Sequence, residues 1–420
     1  MVFQNIPILF LFACTLGFFM AWGIGANDVA NAMGTAVGSR TLTVVQALWI
    51  AGIFETLGAT LVGGEVTQTI RGHIVNPQLL AMAPQLFIAG MLAALAAAGS
   101  WLLVASHFGW PVSTTHSVVG AVIGFGIVAA GFDVVDWGVV GAVITTWIVS
   151  PVIAGIFAYF IFRSIQQWIL NHDHPFLQAK RYLPIYLFFL LMIFGFTTFY
   201  KGFIHCHWHF SHGVIWLWVT SLSLLLMSLS KGLLVRIKID VGTATCTQYQ
   251  AVERIFGVFM VFLACAMAFA HGSNDVANAM GPLFAVVSMM SAHSHLTVTT
   301  QGTPLWILLL GSAGIVLGLA TYGYRVMATV GKNITELTPS RGFAASFATA
   351  STVVVASGIG IPISTTQTLV GAIMGVGLAR GIAAINLQVV RDIFVAWIVT
   401  LPAGAVLAMG YFYLFRLLLS

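Results

Sequence analysis

The sequence predicts an all-α polytopic membrane protein assembled from two copies of one unit, with about 10 to 12 transmembrane segments. Three observations carry this. Of 420 residues, 59% are hydrophobic and only 6% charged, where a soluble domain carries roughly a quarter charged residues. Uncharged apolar stretches of about 20 residues, the length of one helical crossing, recur along the whole chain. An eight-residue segment is written twice without change, 247 positions apart.

In chain order the crossing stretches include Ile6 to Ile24, Leu86 to Ala105, Trp137 to Phe162, Leu183 to Tyr200, Val214 to Leu229, Phe256 to Ala270, Pro304 to Leu319 and Ile393 to Phe415. The first has no Lys or Arg ahead of it, as a cleaved signal peptide would, so it is expected to remain as a transmembrane helix. The stretch from Leu11 to Cys14 is a poor imitation of a lipid-attachment site. Cysteines at 14, 206, 246 and 265 have no metal or disulfide spacing and read as packing residues. A net charge of +5 sits in short loops between apolar runs, which the positive-inside rule explains and nucleic-acid binding does not. Arg163, Lys180 and Arg181 form one group; Lys231, Arg236, Lys238 and Arg254 form another. Two apolar helices separate them, so both are expected on the same, cytoplasmic side.

The repeated segment runs from Asn27 to Gly34 and again from Asn274 to Gly281. A second pair follows in the same order: Pro111 to Gly124 matches Pro362 to Gly375 at 8 of 14 positions, offset by 251. Residues 1–162 are therefore expected to form a first unit, 251–420 a second, and 163–250 a connector with two helices of its own. Duplicated membrane halves commonly form inverted repeats around a midplane site. The parity of the crossings, and so the inversion, is left open by the residues alone.

In the first motif Asn27 and Asn31 are four residues apart, and Asp28 and Asn31 three apart, so on a helix they share one face. Asn274, Asp275 and Asn278 repeat the pattern. Small neighbours allow close helix approach, and Gly23, Gly25, Gly34, Gly272 and Gly281 are expected to loosen the helix and free backbone carbonyls. Carboxylate, amide and carbonyl oxygens suit a hard cation such as sodium. The alternative, that Asn27 or Asp28 only caps a helix, is weakened by faithful repetition in apolar surroundings, where an acid is a functional candidate by default.

The second motif sets Ser113, Thr114 and Thr115, and later Ser364, Thr365 and Thr366, just after a proline. Proline suits a first helical turn, so a helix starting here would aim free N–H groups and three hydroxyls into one volume, an anion site. The alternative is that these hydroxyls bond their own helix backbone. No Arg or Lys stands beside either motif, so cations on the carboxylates would supply the positive charge, making ion and anion binding mutually dependent.

Glu55 lies within the apolar run from Ala47 to Val62, where a carboxylate must face a cavity, bind a cation or be protonated. Glu65 reads as an interfacial residue. Aligning the copies through Gly58 and Gly318 places Ile315 opposite Glu55, so the charge pattern is asymmetric. His205, Cys206, His207, His209 and His212 crowd one loop with Trp208 and Phe210. Metal binding and an interfacial segment both remain open there.

These motifs resemble the paired signature of the inorganic phosphate transporter (PiT) family. The resemblance spans Gly25 to Ser39, His271 to Pro282 and both Pro-Ser-Thr-Thr segments, and thus nearly the whole chain. It implies two inverted repeats with broken helices and re-entrant hairpins carrying the Ser-Thr-Thr residues, with phosphate held between them. It further implies sodium at Asp28 and Asp275, with Asn27, Asn31, Asn274 and Asn278 as further cation ligands. Glu55 and His271 match positions the family needs for transport, and a homodimer is implied as well. Ser346 and Gln367 depart from a glutamate and a histidine common in the family, which leaves the coupling stoichiometry open. The form of the first motif looks more like sodium-coupled than proton-coupled members.

The resulting expectation is a symporter of inorganic phosphate with a cation, sodium before proton, in the plasma or bacterial inner membrane, with lipid as its surroundings and no organic cofactor. Proton-coupled or metal-phosphate symport, sulfate transport in the same fold and a passive anion channel are the alternatives. An enzyme is disfavoured, because no nucleophile motif or metal-ligand set accompanies the acids.

Overall fold

The computed structural model describes residues 6–64, 66–67, 84–205, 211–237, 245–292, 303–332, 337–381 and 385–419. Glu65, Lys238 and residues 206–210 of the His-rich loop lie outside these, as do the side chains of Asn31 and His205.

The described chain is helical: α1 (Ile6–Asn27), α2 (Val29–Gly38), α3 (Val44–Leu61), α4 (Pro84–His107), α5 (Thr114–Ala130), α6 (Trp137–Ile165), α7 (Pro175–His205), α8 (His212–Arg236), α9 (Thr245–Ala292), α10 (Leu305–Lys332), α11 (Pro339–Ile359), α12 (Thr365–Arg380) and α13 (Leu387–Leu419). Among the described residues, 10 helices are long and apolar enough to cross a bilayer. Local chemistry sets their ends. Thr43 and Gln46 form a reciprocal capping box at the start of α3, Asp136 caps α6 through Gly138 and Val139, and Pro339 occupies the first turn of α11. Gly360, at φ 81°, ends α11 in a left-handed turn that a side chain would resist.

The glycines around the Asn-Asp motifs do not open the helix as expected. Asp28 marks only a brief break, and its N–H still donates to the Ile24 carbonyl at 2.7 Å. The second copy runs uninterrupted through α9, 48 residues long. The glycines serve packing instead. A Cβ on Gly25 would collide with the backbone of Ile315, and one on Gly272 with the backbone of Glu55. Gly318 meets Trp22 as Gly58 meets Phe269, and Gly120 meets Leu401 as Gly371 meets Pro151. Every such pair joins opposite halves of the chain, and each has a twin displaced by the sequence offset. Helix α1 therefore packs on α10 as α9 packs on α3, and α5 on α13 as α12 packs on α6.

Two features orient the helices. Ser39, Arg40 and Thr41, just past α2, line one polar cleft with Tyr249 and Glu253 near the start of α9. The span α1–α2 thus ends where α9 begins, and the two copies of the motif run antiparallel. At the same end of the molecule Lys180 Nζ donates to the Ile237 carbonyl and Tyr249 OH to the Leu170 carbonyl at 2.7 Å. The described members of both basic groups therefore gather at one face, as their separation by two crossings predicts.

Helices α5 and α12 have 17 and 16 residues, about 25 Å at 1.5 Å per residue and short of a ~30 Å hydrocarbon core. Both begin inside the protein, with the Thr114 to Gly126 stretch of α5 wholly buried.

Candidate functional site

The two short helices start where the antiparallel motifs cross. Asp28 and Asp275 are buried there, at 1% and 0% exposure. Thr114 Oγ1 donates to Asp28 Oδ2, and Thr366 Oγ1 donates to Asp28 Oδ1 at 2.8 Å. Thr365 Oγ1 donates to Asp275 Oδ2 at 2.7 Å. One carboxylate thus holds threonines from both Ser-Thr-Thr turns. The Asn278 amide joins the parts, donating to Thr114 Oγ1 at 3.1 Å, to Thr115 Oγ1 at 3.3 Å and to Asp275 Oδ1 at 3.3 Å. Thr115 Oγ1 also donates to the Ile363 carbonyl, as its twin Thr366 does to the Val112 carbonyl, each at 3.2 Å. The four threonines therefore spend hydroxyl protons on acids and on the opposite turn, and not only on their own helices.

The serines differ. Ser113 Oγ accepts from the His116 N–H at 3.3 Å and Ser364 Oγ from the Gln367 N–H at 3.2 Å. They are the N-caps of α5 and α12, with a hydroxyl proton still available to another acceptor. Asn27 and Asn274 hold the loops that deliver these turns. Asn27 donates to the Trp110 carbonyl at 2.9 Å and to Ser106 Oγ at 3.2 Å, and its Oδ1 accepts from the Val112 N–H at 3.1 Å. Asn274, with its amide turned to satisfy both ends, donates to the Ile363 carbonyl at 3.0 Å and accepts from Ser357 Oγ at 3.2 Å. Asp28 makes no side-chain cap to α2, so the capping alternative is not realised.

His271 is the asymmetric element. Its Nε2 lies 2.8 Å from Asp275 Oδ2 and its Nδ1 3.1 Å from Glu55 Oε1, all three side chains being buried. Displacing His271 by the motif offset gives Ile24, and the alignment already pairs Glu55 with Ile315; both isoleucines are buried. One copy therefore carries a His-Glu pair where the other has two buried isoleucines. The signal was in the sequence: two ionisable groups without a twin, at packing partners of opposite halves, have each other as partners.

Donor atoms of Asp28, His271 and Asp275 all lie within 4.8 Å of one another, close enough to share one cation. Among the described residues the buried acids and histidines are Asp28, Glu55, Asp275, His116 and His271, with no buried Lys or Arg. Donors for an anion and oxygens for a cation are thus one connected set, and its formal charge is acidic.

The model of the "Phosphate transporter family" matches residues 24–408. A Haemophilus influenzae protein named "Putative phosphate permease" is 51% identical over 400 residues, which cover 95% of each chain. "Inorganic phosphate transporter 2-1, chloroplastic" of Arabidopsis thaliana is 42% identical over 428 residues, covering 96% of this chain and 72% of that one. A solved structure described as "The sodium-dependent phosphate transporter" superimposes with a TM-score of 0.89 at 38% identity, covering 98% of this chain and 99% of the other. The matched region contains both Asn-Asp motifs and both Ser-Thr-Thr turns, and this multi-pass integral membrane protein belongs to the phosphate transporter family.

Proposed function

We propose that the chain is a symporter that carries inorganic phosphate together with sodium by alternating access. One observation carries the reading: Asp28 and Asp275 meet in the interior within hydrogen-bond reach of threonines from both turns, with no buried Lys or Arg among the described residues. An anion entering that acidic set is repelled until cations enter with it. The hydroxyl protons of Thr114, Thr365 and Thr366 now lie on carboxylates. A sodium ion bound to a carboxylate relieves its need for them, and the hydroxyls turn to phosphate oxygens. Sodium and phosphate thereby bind with mutual help, which is the linkage symport requires.

In this reading Asp28 and Asp275 are the sodium ligands, with Asn278 completing the shell. Thr114, Thr115, Thr365 and Thr366 hold phosphate, joined by the free protons of Ser113 and Ser364. Asn27 and Asn274 position the turns, and Glu55 and His271 set the charge beside Asp275. Residues 1–162 and 251–420 are the two repeats and 163–250 the connector. The antiparallel course of the motifs supports an inverted pair, and the short, internally starting α5 and α12 support re-entrant hairpins. A homodimer belongs to the same reading and is tested by mass photometry in detergent.

The test is uptake of labelled phosphate into proteoliposomes with sodium or choline outside, at two pH values. Sodium is expected to drive accumulation above the outside concentration at both. Equal uptake in choline at acidic pH makes the coupling ion a proton, and sodium-independent equilibration without accumulation makes the protein a channel. Competition by sulfate at equal concentration transfers the reading to an anion site that does not discriminate.

A further inference from the structure

Next to the Ser-Thr-Thr turns, where His116 and Gln367 line it, lies a cavity of about 830 Å³ between α6, α12 and α13. Its walls are apolar, including Ile144, Pro151, Val152, Val370, Met374 and Leu401. At its inner end are four side chains related by the sequence duplication: His116 and Gln367, offset by 251, and Trp147 and Trp397, offset by 250. Each is more than nine-tenths buried. The indole nitrogens of Trp147 and Trp397 have no hydrogen-bond partner, and His116 and Gln367 face each other across the cluster with no further partner at Nε2 and Oε1. The imidazole lies against the Trp147 ring, centroids 3.7 Å apart, and its Nδ1 is 3.4 Å from the Trp397 carbonyl, so the cluster is fixed in place. Orphaned polar groups at membrane depth are strongly unfavourable and mark a missing partner.

The mouth gives the partner's origin. Its rim includes Ile148, Ile156, Phe160 and Ile398, each more than half exposed, on membrane-spanning helices. An occupant therefore enters sideways from the hydrocarbon. The volume is within the range of small-molecule sites, about 300 to 1,000 Å³. The inner end offers two indole N–H donors, a carbonyl-type acceptor and an imidazole nitrogen. That set matches one uncharged group that both donates and accepts, and the walls match a single aliphatic chain. We propose that this cavity binds a single-chain amphiphile from the bilayer, a long-chain fatty acid in its protonated form or a fatty alcohol, with its carboxyl or hydroxyl group on Trp147, Trp397, His116 and Gln367.

The position gives the occupant a route to the transport site. His116 directly follows Thr115, and Gln367 directly follows Thr366. Helices α5 and α12 touch α13 and α6 backbone to backbone at Gly120 and Gly371. A chain lodged there restrains any sliding of the turns against α6 and α13.

The test uses the whole protein in proteoliposomes with a diazirine-bearing C16 fatty acid, photolysed and mapped by peptide. Labelling should saturate, concentrate on α6, α12 and α13 at the cavity, and be displaced by excess palmitic acid. The double variant Trp147→Phe with Trp397→Phe keeps the ring volume and removes both N–H donors; it should move half-saturation about tenfold higher. Met374→Trp, which fills the cavity, should abolish cavity labelling while the protein keeps its gel-filtration profile. Labelling that rises linearly with probe and spreads over all lipid-facing helices overturns the proposal. So does cavity labelling indifferent to both variants. Cysteines placed at Ile148 and Ile398 that cross-link two protein copies and exclude the probe assign the cavity to a second copy, and equally overturn it.

Discussion

Replacing Asp28 by asparagine keeps the shape of the side chain and removes one full charge from the crossing point of the motifs. The donor atoms of Asp28, His271 and Asp275 lie within 4.8 Å of one another, so a cation among them sits within about 4 Å of the Asp28 charge. At that distance the attraction is about 4 kcal/mol for an effective dielectric of 20 and about 1 kcal/mol in bulk water. A buried but polar site falls between them, at about 2 to 4 kcal/mol. At 1.4 kcal/mol per tenfold, the sodium concentration for half-maximal uptake should rise by about 30- to 1,000-fold. The amide can still accept from one threonine but offers an NH2 to the other, so phosphate affinity should fall too, by a smaller factor. The assay is labelled phosphate uptake into proteoliposomes across a sodium series. Asp136→Asn serves as control, because that acid only caps α6 at Gly138 and Val139 and should leave sodium dependence unchanged. A half-saturating sodium concentration within about threefold of the parent, in a folded Asp28→Asn protein, refutes the carboxylate as a sodium ligand; the range rests on the same Coulomb arithmetic.

Thr114→Val and Thr365→Val, each losing one charge-assisted bond, should raise the KM for phosphate about tenfold while shifting sodium activation less; equal loss of both assigns the hydroxyls to packing. Asn27→Ala should lower the maximal rate and the thermal stability by about 1 to 3 kcal/mol, since the Trp110 and Val112 loop loses its bonds. A shift of sodium activation as large as that of Asp28→Asn would instead make Asn27 a ligand. Gly272→Ala sets a Cβ against the Glu55 backbone and should sharply reduce folded protein by fluorescence-detected gel filtration on heating. Gly410→Ala, with open space around it, should be neutral or gain about 0.5 to 1 kcal/mol.

The duplication made most of the site legible before any coordinates. Two motifs repeated at nearly one offset must occupy equivalent places, and Asp28, Asp275 and the four threonines do converge. Four things were harder to read. Glycine near a polar motif signals a weak helix or a close helix approach equally well, and only the neighbours of Gly25 and Gly272 decide for close approach. Asn27 and Asp28 are adjacent in sequence and equally polar, yet one faces the loop before α5 and the other the crossing point, a difference of helix azimuth that composition does not carry. Ser113 reads as a donor from its type, but its position before a helix makes its oxygen a cap first. The contact between His271 and Glu55 is legible only when the two copies are compared, because each lacks an ionisable twin while the local pattern around either does not say which half packs against which.

That contact also bears on direction. A machine made of two identical, oppositely pointing halves would have no means of telling one side of the membrane from the other, because each posture would be the mirror in energy of its opposite. Here a charged couple at one elbow faces a greasy one at the other, His271 and Glu55 against Ile24 and Ile315. In the alternating-access reading proposed above, the postures open to the two compartments are then unequal in energy, and the resting bias of the carrier is written in four side chains.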